Sequence, residues 1–277
     1  MTDASQGPFF VPPIPTVGLP GGKELPALGI GTSSCSKILD PSSAKSAILD
    51  AIGLGYTHFQ TEVSSFLEQP VGEAVAEALE NGSVGSREEF FITSKIRFKD
   101  GTDSDSIVPN LKKSLETLKL ESVDIFLVEY DKEDGEFSVT DFMLAWKEME
   151  ECQSLGLAKL IGVCNFSAKM LQSLFNSAVT IPSVNQVGMQ EMWREKELRE
   201  FCAANNITIV VSSAVDGEDK DFEYTQFLES EGFKIEQGSN VKKLAQVYFK
   251  WAYDQGAALL LESLDEKLIR DMLDIFK

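Results

Sequence analysis

The alternation of β-type and helical segments constrains the fold of this chain more than any other feature. Eight apolar β runs recur along the sequence, and each is followed by a segment with helical periodicity. The β runs cover residues 27–32, 57–61, 91–97, 123–129, 159–165, 183–189, 208–213 and 257–263. Helices are predicted, among others, over Ala44–Leu54, Val71–Glu80, Ser106–Leu118, Phe142–Leu155 and Val241–Tyr253. Strict alternation requires parallel strands with right-handed crossovers, so eight units predict a (β/α)8 TIM barrel.

An open, doubly wound sheet is the alternative fold for such an alternation. It is favoured by a glycine-rich GxGxxG loop after an early strand, and that loop is absent. Residues 1–15 are proline-rich and predict an irregular N-terminal arm, followed by a barrel domain over residues 16–277. Gly21 and Gly22 lie between two short β runs and predict an N-terminal β-hairpin. Two loops, residues 130–140 and 214–238, emerge from the predicted active-site face. The second loop is acidic, and we interpret it as a solvated insertion rather than a lid.

The charge balance limits the partners of the protein. The chain has 25 basic and 44 acidic residues, a net charge of −19. Such a surface repels nucleic acid and anionic lipid, whereas it suits a basic protein partner. The first residues lack the pattern of a signal peptide, and no apolar run is long enough to span a membrane. We therefore expect a soluble, cytoplasmic protein.

The cysteines and the single histidine restrict the chemistry. Cys35, Cys152, Cys164 and Cys202 form no CxxC pair, and they are interpreted as packing residues in a reducing compartment. His58 is the only histidine, and it is interpreted as a core residue. We expect no metal site and no Ser-His-Asp triad.

The predicted strand ends carry a resemblance to a known family. GYTHFQT, FFITSKI, VDIFLVE, GLAKLIGVCNF, SVNQVGM and LLLES occur in an order and at a spacing similar to the aldo-keto reductases, in particular the plant chalcone and codeinone reductase branch. The similarity covers nearly the whole chain after the arm. It implies a barrel that binds NADPH at its mouth and reduces carbonyls with an Asp, a Tyr acid, a Lys and a His. The chain ends at Lys277, before the family's C-terminal tail, so the resemblance implies an open, shallow mouth.

Matched position by position, only one of these four groups is retained. Lys95 remains, but Gln60 stands in place of the Asp, Ser65 in place of the Tyr and Glu129 in place of the His. A Ser hydroxyl is a far weaker acid than a Tyr whose pKa a Lys lowers, and a carboxylate has the wrong sign for a developing oxyanion. We therefore expect ordinary NADPH-dependent carbonyl reduction to be lost.

The cofactor site implied by the resemblance is also altered. Glu262 and Leu268 replace the basic residues that grip the 2′-phosphate, and Ser212 replaces an aromatic residue that stacks on the nicotinamide. The retained cofactor residues are Gly31, Thr32, Asn165, Gln186 and Ser263. We expect no cofactor, or NADPH or NADH bound with weakened affinity. Glu262 favours NADH, because a carboxylate accepts from a 2′-hydroxyl and repels a phosphate.

Several residues at the predicted mouth have alternative roles. Lys95 and Glu129 form either a structural ion pair or an acid/base pair, and a Schiff base on Lys95 is a minor alternative. Tyr130 is a candidate proton donor or a surface residue. Arg97 is a candidate ligand for a substrate carboxylate or a solvated rim residue. Trp193 is a candidate substrate contact, although its sequence context favours barrel-end packing.

These observations lead to two hypotheses about a reductase descendant without redox chemistry. One is a non-redox enzyme, an isomerase, lyase or cyclase, acting on a small molecule at the C-terminal face with Glu129 as base. The other is a pseudoenzyme, a binding or regulatory protein with a small-molecule ligand or a protein partner. The alternative is a residual NAD(P)H-dependent oxidoreductase that uses Lys95.

Overall fold

Eight parallel strands close into a barrel in this computed structural model, which describes residues 13–33, 40–99, 106–131, 138–213, 226–227, 230 and 241–277. The order around the barrel is β10-β3-β4-β5-β6-β7-β8-β9. The strands are β3 (Leu28–Gly31), β4 (His58–Glu62), β5 (Phe91–Lys99), β6 (Val123–Asp131), β7 (Ala158–Cys164), β8 (Val184–Gly188), β9 (Thr208–Ser213) and β10 (Ala258–Leu261). Closure confirms the predicted barrel and excludes the open sheet.

Helices follow the strands and pack around the barrel. They are α1 (Pro41–Gly53), α2 (Glu68–Glu80), α3 (Ile107–Leu118), α4 (Val139–Ser154), α5 (Ala168–Phe175), α6 (Met189–Arg194), α7 (Lys196–Ala204), α8 (Val241–Asp254) and α9 (Glu266–Met272). Asp40 caps α1 by accepting from the backbone N–H groups of Ser42 and Ser43. Among the described helices, none is both long enough and apolar enough to cross a membrane.

A β-hairpin closes the amino-terminal end of the barrel, as the two adjacent glycines predicted. Its strands, β1 (Thr16–Gly18) and β2 (Glu24–Pro26), pair in antiparallel fashion. Leu19 and Leu25 of the hairpin are buried against the apolar residues that fill the lower interior of the barrel. The hairpin therefore covers the amino-terminal end of the barrel, opposite the end where the strands terminate.

The strand register determines which side chains share a level inside the barrel. Gln60 lies opposite Thr93, and Glu62 lies opposite Lys95. Because side chains alternate along a strand, residues two apart share a face, and each step of two moves one layer towards the mouth. Lys95 and Glu62 therefore lie in the layer above Gln60.

Some predicted segments lie outside the described residues. They include residues 1–12 of the predicted arm, 132–137 of the loop after β6, and most of the acidic segment 214–238.

Candidate functional site

A polar cleft of about 370 Å³ opens at the carboxyl ends of the barrel strands. This is the face where barrels of this architecture hold their active sites. Its lining residues come from seven of the eight barrel strands and the segments that follow them: Ser33, Lys95, Arg97, Glu129, Cys164, Asn165, Gln186, Gly188, Met189, Gln190, Glu191, Ser212, Ser213 and Glu262. Met189 alone among them contributes a sizeable apolar side chain, so this cleft fits a polar ligand.

An ion pair between two neighbouring strands forms the floor of the cleft. Lys95 on β5 donates from Nζ to Oε2 of Glu129 on β6 over 2.8 Å. Asn165, just after β7, donates from Nδ2 to the other carboxylate oxygen over 2.8 Å. Only 6% of Lys95 is exposed, so its ammonium is held in one position at the bottom of the mouth.

A second cation lies above this pair. Arg97 follows Lys95 by two residues on β5, and its Nε lies 2.9 Å from Oε1 of Glu62 and 3.6 Å from Oε2 of Glu129. Its side chain is 54% exposed. Glu62, Arg97, Glu129 and Lys95 therefore alternate in charge across three adjacent strands, and two cations balance two carboxylates.

Lys95 stays protonated in this environment. Burial by itself lowers the pKa of Lys95, but the hydrogen bond to Glu129 and the carboxylate charges of Glu129 and Glu62 raise it, and the net shift is upward. A cationic ammonium at neutral pH excludes the neutral amine that a Schiff base requires. The geometry leaves the Lys95 ammonium able to donate hydrogen bonds at the floor of the cleft.

Asn165, Gln186 and Ser212, which the resemblance assigns to the cofactor site, all line the cleft. Asn165 adopts φ of 62°, a conformation that asparagine tolerates better than most residues, and its backbone N–H donates to the Gln186 carbonyl over 2.7 Å. Gln186 is buried, and its Oε1 has no hydrogen-bond partner among the described residues. A buried acceptor without a donor is costly, so Gln186 fits a ligand that donates to it.

The other predicted cofactor residues have roles within the protein. Thr32 donates from both its backbone N–H and its hydroxyl to the Gln60 carbonyl. The Ser263 hydroxyl accepts from the backbone N–H of Asp265 at the start of α9. A side chain at Gly31 would collide with the Glu262 carboxylate, so this glycine gives Glu262 its place at the mouth.

Gln60 and Ser65, which stand at two of the replaced catalytic positions, lie in different parts of the structure. Gln60 is buried in the layer below Lys95, with 1% of its surface exposed. The Ser65 hydroxyl accepts from the backbone N–H of Leu67 over 3.2 Å, in the turn before α2. Neither belongs to the cleft lining, so neither is positioned to protonate a ligand there.

Tyr130 and Trp193 lie away from the cleft, contrary to the roles considered for them at the mouth. Tyr130 alternates with Glu129, so its ring points out of the barrel, where it stacks on Phe98 and meets Phe142 edge-on. The Trp193 ring packs against Phe227, with centroids 5.5 Å apart. Tyr130 as proton donor and Trp193 as substrate contact are corrected accordingly: both are packing residues.

Sequence reasoning overlooked two residues of the site. Glu62 follows Gln60 by two residues, and Cys164 immediately precedes Asn165 at the end of β7. Side-chain alternation along β4 and β7 was the available signal, because it directs both side chains inward at the mouth. Burial raises the pKa of the Cys164 thiol to about 12, so this thiol stays neutral beside Lys95.

Comparison with known proteins identifies relatives over almost the whole chain. The Aldo/keto reductase family matches residues 27–277. Deoxymugineic acid synthase 1 of Zea mays is 38% identical over 262 residues, covering 91% of this chain and 82% of the relative. NADPH-dependent codeinone reductase 1-1 of Papaver somniferum is 38% identical over 274 residues, covering 95% of this chain and 85% of the relative.

Solved structures agree with these sequence relationships. An aldo-keto reductase of Bombyx mori in complex with NADP superposes with a TM-score of 0.75 at 25% identity, covering 96% of this chain and 88% of that chain. The expectation that no cofactor binds has no support in these comparisons.

These relatives overturn the prediction of a lost reductase. A protein that is 38% identical over 95% of this chain is named as an NADPH-dependent reductase, and nothing in the comparisons indicates a lost activity. The hypotheses of a non-redox enzyme and of a pseudoenzyme are therefore wrong. Their physical argument assigned Glu129 an uncompensated charge, whereas Lys95 and Arg97 both lie against its carboxylate. The chain belongs to the aldo/keto reductase family.

Proposed function

We propose that this protein is an NADPH-dependent oxidoreductase that reduces a small carbonyl compound in the cleft at the barrel mouth. One observation carries the proposal: the buried, cationic Lys95 lies in the same cleft as Gln186, whose Oε1 lacks a partner among the described residues. An ammonium and an unpaired amide acceptor are what a carbonyl oxygen and a nicotinamide carboxamide require. Family membership adds independent support.

The residues of the cleft fit the nicotinamide end of such a cofactor. Gln186 would accept from the carboxamide N–H, and Asn165 and Ser212 offer further polar contacts on the same wall. When bound, the cofactor supplies the hydride. The protein itself then needs only to orient the carbonyl and to provide a proton.

Lys95 is the residue placed to provide that proton. Hydride addition to a carbonyl carbon leaves negative charge on the oxygen, which takes up one proton to become a hydroxyl. The Lys95 ammonium stabilises this charge and transfers a proton from Nζ, and water in the open cleft then returns a proton to the amine. Glu129 holds the ammonium in place through the 2.8 Å hydrogen bond, while Arg97 offsets part of its negative charge.

Glu262 sets the balance between the two nicotinamide cofactors in this proposal. It stands where the resemblance implies a basic residue against the 2′-phosphate, and its carboxylate lines the cleft. A carboxylate repels a phosphate, so Glu262 lowers the preference for NADPH without removing the nicotinamide contacts.

Fluorescence titration with NADPH and NADH tests the cofactor part of the proposal. The wild-type protein should bind NADPH, and Gln186→Leu should weaken binding about tenfold because a carboxamide hydrogen bond is lost. Gln172→Leu, an exposed position on α5, serves as the matched control and should bind as the wild type does. Glu262→Lys should raise the affinity for NADPH relative to NADH. No binding of either cofactor to the wild-type protein would overturn the proposal.

Turnover of small aldehydes with NADPH tests the role of Lys95. Removing a positioned proton donor costs about a hundredfold or more in kcat, so Lys95→Met should lose at least that much. Lys250→Met removes the same charge from the exposed face of α8 and should retain wild-type turnover. Wild-type kcat in Lys95→Met would exclude Lys95 as the donor.

A further inference from the structure

We propose that the cleft selects short oxo acids, with Arg97 binding the substrate carboxylate while Lys95 contacts the carbonyl oxygen. The inference rests on the proposed oxidoreductase function and names its substrate class. The supporting observations are the exposure of Arg97, its short distance from Lys95, and the distribution of charge around the mouth.

Arg97 lines the cleft beside Glu62, whose Oε1 lies 2.9 Å from its Nε. The side chain is 54% exposed, so the guanidinium is accessible to a ligand. A planar guanidinium held from one side offers a carboxylate two parallel hydrogen bonds.

The separation of the two cations limits the length of the substrate. Lys95 Nζ and Arg97 Nε lie 2.8 Å and 3.6 Å from the same oxygen of Glu129. The two nitrogens therefore cannot be farther apart than these two distances together. A molecule whose carbonyl oxygen and carboxylate are separated by a few bonds, as in 2-oxo, 3-oxo and 4-oxo acids, can therefore bridge the two cations.

Both cations among the described lining residues lie on one side of the mouth. Arg97 and Lys95 are on β5, whereas Glu262 follows β10 and Glu191 follows β8, each three strands away around the barrel. An anion bound at Arg97 is therefore distant from Glu262 and Glu191, and its repulsion by Glu62 and Glu129 is offset by the two cations that pair with them. Met189 is the only sizeable apolar side chain among the described lining residues, so a purely apolar aldehyde gains little by burial there.

A matched pair of substrates tests the carboxylate contact. With NADPH, kcat/KM for 4-oxobutanoate should exceed kcat/KM for butanal, which has the same length without the carboxylate. Arg97→Gln should lower this ratio about tenfold, since a half-exposed charge-assisted contact is partly screened. Arg270→Gln removes the same charge from an exposed site on α9 and should leave the ratio unchanged. An unchanged ratio in Arg97→Gln would overturn the proposal.

A binding measurement separates this inference from the proposed function. Calorimetric titration with 4-hydroxybutanoate and with 1-butanol, without turnover, should give Arg97-dependent binding of the carboxylate alone. If neither aldehyde is reduced but this binding is seen, the oxidoreductase function fails and the carboxylate site stands. If both aldehydes are reduced equally and 4-hydroxybutanoate binds no better than 1-butanol, the substrate class is wrong while the function stands.

Discussion

His58 should make the stability of this protein fall steeply in mild acid. It is fully buried at the lower end of β4, where Nε2 lies 3.2 Å from the Thr93 hydroxyl and the ring meets Phe91 edge-on. Burial lowers the pKa of His58 from 6.5 to about 4, although the nearby Asp124 carboxylate opposes the shift. The unfolded chain therefore binds a proton near pH 6.5, whereas the folded chain does not until about pH 4.

The sign and the size follow from proton linkage. Between pH 6.5 and pH 4 the unfolded state binds more protons, so the free energy of unfolding decreases as the pH falls through this window. Well above pH 6.5, His58 is neutral in both states and causes no loss of unfolding free energy. A shift of this size removes about 2 kcal/mol between pH 7 and pH 5, and about 3 kcal/mol by pH 4.

Urea denaturation of the wild-type protein and of His58→Asn from pH 7 to pH 4 measures the effect. Carboxylates titrate in both proteins, so the difference between the two curves isolates the histidine. The wild-type protein should lose about 2 kcal/mol more than the variant between pH 7 and pH 5. Because the chain has one histidine, its proton NMR resonance reports the folded-state pKa directly. Parallel stability curves, or a native titration near pH 6.5, would refute the reasoning.

Two further predictions concern packing. In Gly72→Ala, the added methyl group would collide with the backbone carbonyl of Leu118. The variant should therefore lose about 1–3 kcal/mol of unfolding free energy in urea denaturation. If its stability equals that of the wild-type protein, α2 and α3 can separate easily. Burial raises the pKa of the Cys152, Cys164 and Cys202 thiols to about 12, so they lack the reactive thiolate form. Mass spectrometry should therefore find iodoacetamide on these cysteines only after unfolding. Rapid labelling of the native protein would contradict their burial.

The barrel was predictable because local signals and the global pattern agree. Asp40 caps α1 as its side chain and the following proline indicate, and Gly156 adopts φ of 75° after α4, as a helix-ending glycine should. Each strand is a short apolar run between helices, and eight such units have one closed arrangement. The positions of Lys95 and Glu129 at the ends of their strands placed both residues at the mouth.

The orientation of individual side chains at the barrel mouth was harder to predict from the sequence. Tyr130 looked available because it follows Glu129, but consecutive strand residues face opposite sides, and its ring packs in the aromatic layer under α4. Trp193 lies on α6, whose rotation relative to the cleft no local pattern specifies. The Ser65 hydroxyl already accepts a hydrogen bond from the backbone N–H of Leu67 in the turn before α2. These outcomes depend on tertiary packing that a single sequence does not encode locally.

The charges at the mouth act as one unit, and this explains why position-by-position reasoning failed there. Glu129 alone would repel a developing oxyanion, and Lys95 alone would be costly to bury. Together with Arg97 and Glu62 they form an alternating network in which each carboxylate lies within 4 Å of a cation. Removing any member leaves a partly buried charge uncompensated, so substitutions at these four positions should be strongly non-additive. The whole network thus keeps a cation at the mouth of the barrel, and the acidic residues that seemed to preclude reduction are what keep Lys95 charged.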